Sequence, residues 1–243
     1  MNKFVDTLCV AAIAAAMAGS AVCAAGAGAP GAVAAEYRLS PRSDSRFAAE
    51  LLRLNQPDLI TAQEAAAKGT PAADLWKAQG IIVQWPELSK NRANAARATG
   101  EYVDAVGTYL DSQSAGIDGV WALDQAKFII GRLAEPFISR MEYSGNNARD
   151  RAALRPLAAL ADRLLQQASI SLAAGMRDAE KGGFNEPEYM RNYNATSEAD
   201  YYGAWAGYFQ AMAMDPDDAG RKKLLLDAAA TLGTWADAKE DTG

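Results

Sequence analysis

The chain has 243 residues and half of them are hydrophobic, which is ample for a buried core. Its net charge of -6 at pH 7 opposes binding to nucleic acid or anionic lipid, because phosphate binding requires a basic surface. It contains no histidine, so the chain alone cannot supply a Ser-His-Asp triad, a Cys-His pair or a histidine-ligated zinc site.

The N-terminal segment has the layout of a secretory signal peptide. Lys3 precedes an apolar run over residues 8–17, and small residues follow this run. The run is too short and too rich in alanine to predict a membrane span. Cleavage fits after Ala24, which gives a signal peptide of residues 1–24, or as late as residue 35. We therefore expect export of the mature chain to the periplasm or the exterior of a bacterial cell.

Both cysteines, Cys9 and Cys23, lie in this N-terminal segment, so its removal leaves no thiol. Cys23 raises the alternative of a lipid anchor, because a cysteine just after an apolar run can carry lipid. Plain cleavage is favoured, since Val22 stands where a bacterial lipobox has Gly, Ala or Ser. Residues 25–42 are predicted to be a flexible linker, and residues 43–243 an all-helical repeat domain. No transmembrane segment is predicted in the mature chain.

Helical periodicity of apolar residues starts after the linker, which predicts an all-α fold. Ser43 or Asp44 is predicted to cap the first helix, after an exposed polar arm. Pro57 fits the first turn of a second helix, and Gly69 is expected to end it. A third helix is expected to end before Pro86.

Three longer segments follow with the same periodicity, at residues 87–110, 121–143 and 154–176. Pro136 is expected to kink or interrupt the second of these helices, because proline lacks a backbone donor. Pro156 is expected near the start of the third. No segment alternates with period two for long enough to predict a strand. The chain is therefore expected to stack its helices as antiparallel hairpins.

The stretch 198–212 concentrates large side chains on one face of a predicted helix. These side chains are Tyr201, Tyr202, Trp205, Tyr208, Phe209 and Met212. Small residues such as Gly203 fill the other face, which predicts a helix sandwiched between a close neighbour and a core of rings. Packing is favoured because the rings obey helical spacing. The alternative is a sugar-stacking platform formed by Tyr201, Trp205 and Tyr208.

The junction after this helix resembles a tetratricopeptide-type repeat. The second helix of such a repeat has a small residue, an aromatic residue four later, an alanine three later and a proline five later. Ala204, Tyr208, Ala211 and Pro216 match this series, and the resemblance covers residues 198–235. It implies antiparallel helical hairpins stacked as a right-handed solenoid. It also implies a protein-interaction scaffold, often with a concave groove.

Acidic residues near this helix support a second hypothesis, a carboxylate-dependent enzyme or sugar-binding protein acting on extracellular polysaccharide. Glu186 and Glu188 flank Pro187, and Asp200 follows further along. A pair of carboxylates can supply the acid and base of a glycosidase. With 30 acidic residues in the chain, however, some pairs lie close by chance. The acidic turn 215–218 has oxygen ligands for calcium, but helix capping explains it more simply.

The sequence as a whole predicts an exported, non-catalytic helical-repeat scaffold that binds a protein or peptide partner in the cell envelope. No catalytic residue, no cofactor and no metal site is predicted. The candidate partner or sugar contacts are Tyr201, Trp205, Tyr208, Glu186, Glu188 and Asp200.

Overall fold

Helices dominate the described parts of the chain. The structure, a computed structural model, describes residues 41–113, 116–145, 147–181 and 183–240. The predicted signal peptide, both cysteines and most of the predicted linker lie outside these residues. No strand occurs within them, so the all-α prediction is confirmed.

The helices follow one another with short connections and belong to one compact unit. In chain order they are α1 (Pro41–Arg53), α2 (Pro57–Ala66), α3 (Ala73–Leu88), α4 (Arg92–Ser112), α5 (Gly119–Phe128), α6 (Glu135–Ser144), α7 (Ala148–Glu180), α8 (Glu186–Ala213) and α9 (Ala219–Glu240). A π-helical stretch, Ile129–Ala134, joins α5 to α6. The two longest helices, α7 and α8, pack against each other as the central pair, with α5 against α7 and α9 against α8.

Side-chain caps fix several helix starts. A side-chain oxygen accepts a backbone N–H at Asn91 before α4, at Asp118 before α5 and at Asn147 before α7. Each cap satisfies a backbone donor that has no partner inside its helix. The carboxylate of Asp118 also accepts a hydrogen bond from Arg191 Nη2 of α8 at 3.1 Å. This cap therefore ties the start of α5 to α8.

The core centres on large side chains of α3, α4 and α5. Trp121 and Tyr109 are almost fully buried and meet edge to face, with ring centroids 5.4 Å apart. Nearby, the Tyr102 hydroxyl donates to Gln125 Oε1 at 2.9 Å, and Gln79 Nε2 donates to the same oxygen at 3.2 Å. These buried hydrogen bonds link the three helices and favour one arrangement of the core.

Two glycines allow close contact between the central helices. A Cβ placed on Gly119 of α5 would lie 2.7 Å from Leu172 Cγ and 2.9 Å from the Leu172 backbone nitrogen. A Cβ on Gly175 of α7 would lie 2.8 Å from the side-chain amide of Asn192. At Gly119 the Leu172 backbone leaves room only for hydrogen, so this glycine sets the distance between α5 and α7. At Gly175 an added methyl group would require the Asn192 side chain to move.

Several predicted helix boundaries are wrong. The first helix begins at Pro41, so Ser43 and Asp44 lie within it and neither caps it. The described part of the predicted polar arm, residues 41–46, is therefore helical. The third helix continues through Pro86 to Leu88. Leu88 packs against the core, and this burial offsets the backbone hydrogen bond that the proline removes.

The two internal prolines behave differently. The predicted interruption at Pro136 is confirmed, because a π-helical stretch precedes it and the proline occupies the first turn of α6. Pro156 lies well inside α7, and its prediction near a helix start is wrong. The cap at Asn147 begins α7 earlier, and buried side chains such as Leu157 hold the helix on both sides of the proline.

The aromatic stretch belongs to one long helix. α8 runs unbroken from Glu186 to Ala213, so the helix begins well before residue 198. Buried positions such as Ala195 and Ala199 belong to one packing face of this helix. Across the described residues, no helix combines the length and hydropathy that crossing a bilayer requires.

Candidate functional site

An open groove runs along α8 between α7 and α9, with a volume of about 670 Å³. We call it the acidic groove. Its lining residues are Asp162, Leu165, Gln166, Ser169, Ala199, Asp200, Gly203, Ala204, Gly207, Leu224, Asp227, Ala228, Thr231, Thr234 and Trp235. α9 packs almost wholly on α8 and makes little contact with α7. The space that remains between α7 and α9 is the acidic groove.

Small residues of α8 form the floor of the acidic groove. Ala199 and Ala204 are buried, whereas Gly203 and Gly207 have no atom within 4 Å of the position a Cβ would take. Glycines four residues apart share one helix face. The sequence predicted a close neighbouring helix over these small residues, and at the two glycines this prediction is wrong. The floor of the groove is therefore open at these two glycines.

Three carboxylates and no cation line the acidic groove. Asp162, Asp200 and Asp227 come from three different helices. Among the described residues none of them forms an ion pair, and Asp162 Oδ2 accepts a hydrogen bond from Gln166 Nε2 at 2.8 Å. Like charges on facing walls create a negative potential that extends roughly 8–10 Å at physiological salt. The groove therefore attracts cationic groups.

An aromatic contact holds one end of the acidic groove. Trp235 of α9 meets Tyr201 of α8 edge to face, with ring centroids 5.8 Å apart. Tyr201 in turn contacts Trp205, with centroids 6.5 Å apart. Trp235 keeps 36% of its surface exposed. It therefore anchors α9 to α8 and still offers apolar surface to a partner in the groove.

The other rings of the predicted aromatic face hold α8 to the rest of the fold. Phe209 is buried, and Tyr202 lies under Lys127 Nζ of α5 at 5.7 Å. The Tyr208 hydroxyl donates to Glu142 Oε1 of α6 at 2.5 Å. Burial, with this hydrogen bond, raises the pKa of Tyr208 to about 12. Tyr208 is therefore a neutral donor at physiological pH.

The acidic residues selected from the sequence do not all lie at one place. Both Glu188 oxygens accept hydrogen bonds from the guanidinium of Arg46, at 3.1 and 2.8 Å. Asp200 lies further along α8 by roughly 18 Å, at about 1.5 Å per residue. Glu186 is exposed in the first turn of α8. A glycosidase needs two carboxyl groups about 5–9.5 Å apart, and Glu188 and Asp200 are too far apart for this role.

A second charged cluster lies between α1, α5 and α8, and its charges are paired. Lys127 Nζ lies 2.7 Å from Glu198 Oε2 and 3.8 Å from Asp124 Oδ1. Burial raises the pKa of Asp124 to about 6, although the nearby Lys127 charge partly opposes this shift. Arg191 pairs with Asp118 in the same cluster. The pairing points to a structural network that joins α5 to α8.

The acidic turn 215–218 is engaged in structural contacts. Asp215 Oδ1 lies 3.1 Å from Arg151 Nη2, and Asp218 Oδ1 accepts the backbone N–H of Gly220 at 2.8 Å. Capping of this kind is the simpler interpretation that the sequence suggested. Within the described ranges, no group of three or more acidic, cysteine or histidine side chains is arranged to hold a metal ion.

Sequence reasoning found one carboxylate of the acidic groove and missed two. Asp200 was selected because it follows Glu186 and Glu188 in the chain as a further carboxylate. Asp162 and Asp227 lie on α7 and α9, far from it along the chain. Local periodicity places each of them on a polar face, but it does not reveal which faces of distant helices meet.

No protein-family model matches the chain, and no curated protein or solved structure is significantly similar to it. The resemblance of the α8–α9 junction to a tetratricopeptide-type repeat stays a prediction. Inference about function therefore rests on the shape and charge of the acidic groove.

Proposed function

We propose that the chain is an exported, non-catalytic helical scaffold that binds a basic helical segment of a partner protein in the acidic groove. One observation carries this proposal: three carboxylates from three helices, none in an ion pair among the described residues, face one open groove with a floor of small residues. A solenoid of tetratricopeptide type, in which α8 and α9 form one hairpin, is the arrangement that we propose for the scaffold.

The shape of the groove favours a helical partner. Its α9 wall extends from Leu224 to Trp235, roughly 17 Å at about 1.5 Å per residue, which matches three turns of a bound helix. The open positions at Gly203 and Gly207 allow the backbone of that helix to approach α8 closely. Apolar contact would come from Leu224, which is half-buried, and from the exposed part of Trp235, as in other helix-in-groove complexes.

The charge of the groove favours lysine or arginine on the partner. Each exposed ion pair contributes about 0.2–1 kcal/mol, so three pairs give a modest part of the affinity. Their larger effect is on the association rate, because complementary fields steer the encounter. We therefore expect binding that weakens markedly as salt rises.

The central test is calorimetry with a synthetic peptide of roughly 12 residues, long enough for three helical turns, with lysines flanking an alanine face. We expect saturable binding by the full mature chain. A triple variant removes all three groove carboxylates: Asp162→Asn, Asp200→Asn and Asp227→Asn. We expect its affinity for the peptide to fall at least about tenfold, or about 1.4 kcal/mol. Unchanged affinity in this variant would exclude the groove.

A matched control removes three charges elsewhere. Asp58, Asp74 and Glu180 lie outside the acidic groove and form no ion pair within the described structure. The variant Asp58→Asn, Asp74→Asn, Glu180→Gln has the same net charge as the groove variant. If both variants lose affinity equally, the peptide responds to overall charge and the proposal fails.

The proposed location rests on the signal-peptide layout. Expression of the full chain in a bacterial host, followed by mass spectrometry of the periplasmic and extracellular fractions, checks it directly. We expect a mature protein that begins after Ala24, or after a site as late as residue 35. Recovery of the intact chain in the cytoplasm alone would contradict export. This outcome is independent of peptide binding.

The polysaccharide-active alternative has its own readout. Turnover of a glycan by the purified chain, abolished by Asp200→Asn, would contradict a non-catalytic scaffold. The separation of Glu188 and Asp200 gives this alternative no specific support, and we therefore favour binding over catalysis.

A further inference from the structure

A second cavity, of about 580 Å³, lies toward the start of α7, between α4 and α6. α4 packs chiefly on α3 and only lightly on α7, so a space remains between them. Four arginines line this cavity against two aspartates, in a chain whose net charge is -6. We call it the arginine pocket.

The interior of the arginine pocket is apolar. Trp85, Val103, Leu133, Phe137 and Leu157 contribute apolar surface from five different elements. Leu133 and Leu157 are buried and belong to the hydrophobic core, whereas the two rings are partly exposed. The pocket is therefore continuous with the core and offers an apolar ligand a rigid surface.

Three arginines from different elements form the exposed rim of the arginine pocket. Arg92, Arg132 and Arg149 come from α4, the π-helical stretch and α7, and all three are exposed. None of them forms an ion pair or hydrogen bond among the described residues. Arg140 differs, because its Nη2 lies 2.9 Å from Asp150 Oδ1. The charge of Arg149 also helps to lower the pKa of Asp150. Among the described residues, three guanidinium groups without a hydrogen bond or an ion pair therefore remain for a ligand.

The π-helical stretch contributes both kinds of surface. Arg132 and Leu133 are adjacent in the chain and both line the pocket, one at the exposed rim and one in the buried interior. Wide helical turns of this type are frequent at functional sites. Guanidinium groups bind carboxylate and phosphate through paired hydrogen bonds, so the rim favours anions of these types.

We propose that the arginine pocket binds a small amphiphilic anion, with its apolar body against Trp85 and Phe137 and its carboxylate or phosphate at Arg92, Arg132 and Arg149. The volume corresponds to roughly twenty water molecules at about 30 Å³ each. It falls within the range of about 300–1,000 Å³ that is typical of small-molecule sites. A compact ligand fits this volume better than a long acidic chain.

Calorimetry with the full mature chain tests the charge requirement. The probes are decanoate and decyl phosphate, each below its aggregation concentration, and decyltrimethylammonium as the matched cation. We expect saturable binding of one or both anions and none of the cation; the ratio of the two anion affinities distinguishes carboxylate from phosphate. Arg132→Gln and Arg149→Gln should each weaken binding about tenfold. Arg97→Gln, on α4 outside the pocket, should leave it unchanged.

A cavity-filling variant tests the location. Gly100 lines the pocket, is exposed and has no atom within 4 Å of the position of a Cβ, so Gly100→Leu should occupy the cavity without disturbing α4. Gly203→Leu, in the acidic groove, is the matched control. We expect loss of anion binding in the first variant only. Should Gly100→Leu unfold, Ala96→Leu at another exposed lining position replaces it.

Three results would overturn the proposal. The first is anion binding that survives cavity filling. The second is equal binding of decyltrimethylammonium. The third is binding of a glutamate-rich peptide while decanoate and decyl phosphate fail to bind, because that result would assign the arginines to a macromolecular partner.

Discussion

Gly119 and Gly203 are both helical glycines, but the space around them differs. At Gly119 a Cβ would lie 2.7 Å from Leu172 Cγ, whereas at Gly203 nothing lies within 4 Å. The first glycine brings α5 into contact with α7 and fixes the centre of the fold. The second lies on the floor of the acidic groove. Small residues in this chain therefore serve close packing at one place and leave an accessible surface at the other.

The charged cluster between α1, α5 and α8 and the acidic groove differ in whether their charges are paired. Asp124, in the cluster between α1, α5 and α8, lies near Lys127 and in a network with Glu198 and Arg191. The acidic groove keeps its carboxylates free of ion pairs within the described structure. Where the helices are in close contact, glycine occurs together with charges that are paired. In the acidic groove, glycine occurs together with carboxylates that form no ion pair among the described residues. Only the second combination suits a partner.

The largest effect is expected at the closed contact. Gly119→Ala places a methyl group against the Leu172 side chain and backbone, and we expect the free energy of unfolding to fall by about 2–3 kcal/mol. Gly107→Ala is the control, because nothing lies within 4 Å of its Cβ position. That change should raise stability by about 0.5–1 kcal/mol through helix propensity. Urea denaturation measures both changes in the free energy of unfolding. Equal destabilisation by Gly119→Ala and Gly107→Ala would show that the helix contact at Gly119 is not closed.

A smaller loss is expected at Gly175. An added methyl group displaces the Asn192 amide, whose Nδ2 donates to the Glu188 carbonyl at 2.7 Å. We expect Gly175→Ala to lower the free energy of unfolding by about 1–2 kcal/mol. In the double variant with Asn192→Ala the effects should not add, because the clash is already removed. Strict additivity by urea denaturation would show that the two residues do not interact.

The open floor predicts a change of opposite sign. Gly203→Ala should raise the free energy of unfolding by up to about 1 kcal/mol, since alanine favours the helix and meets no atom. Thermal unfolding without a partner measures this change. A decrease comparable to that of Gly119→Ala would mean that the floor is closed in solution.

The smallest effect concerns pH. Asp124 has its pKa raised to about 6 by burial, from a usual value near 3.8, so the folded state holds this proton longer than the unfolded state. Its contribution to stability is present below pH 3.8 and is lost as pH rises through 6. Asp124→Asn should therefore become more stable than the parent chain as pH rises. The gain stays below about 1 kcal/mol, because its side chain is 38% exposed.

Unfolding curves of the Asp124→Asn variant and the parent chain at a series of pH values check this prediction. Gly203→Ala, which changes no titratable group, is the control. Its stability difference from the parent should stay constant between pH 4 and 6, the window set by Asp124. A stability difference for Asp124→Asn that shrinks as pH rises would show that pairing with Lys127 outweighs burial.

Local sequence signals predicted the fold class and some helix ends. Pro57 begins α2, and Gly69, with φ of 77°, follows its end as expected. The start of α7 was misplaced because Pro156 is a strong local signal, whereas the Asn147 cap and the burial that sustains the helix are weaker ones. Asp162 and Asp227 could not be assigned to one groove, since helix pairing depends on tertiary packing and not on periodicity.

The arginine pocket also could not be predicted from the local periodicity of the sequence. Arg92, Arg132 and Arg149 occur on separate elements, and each is an ordinary exposed position in its own helix. Their common location follows from the light packing of α4 on α7. A net negative charge for the whole chain gave no indication of a locally positive cavity.

Calorimetry of the lysine-flanked helical peptide against Gly203→Leu and Gly100→Leu tests the central claim most directly. Both changes put the same side chain at an exposed helical glycine with open space, one in the acidic groove and one in the arginine pocket. We expect Gly203→Leu to abolish peptide binding and Gly100→Leu to preserve it. Peptide binding that is preserved by Gly203→Leu, or lost equally in both variants, would contradict the assignment of the acidic groove as the partner site.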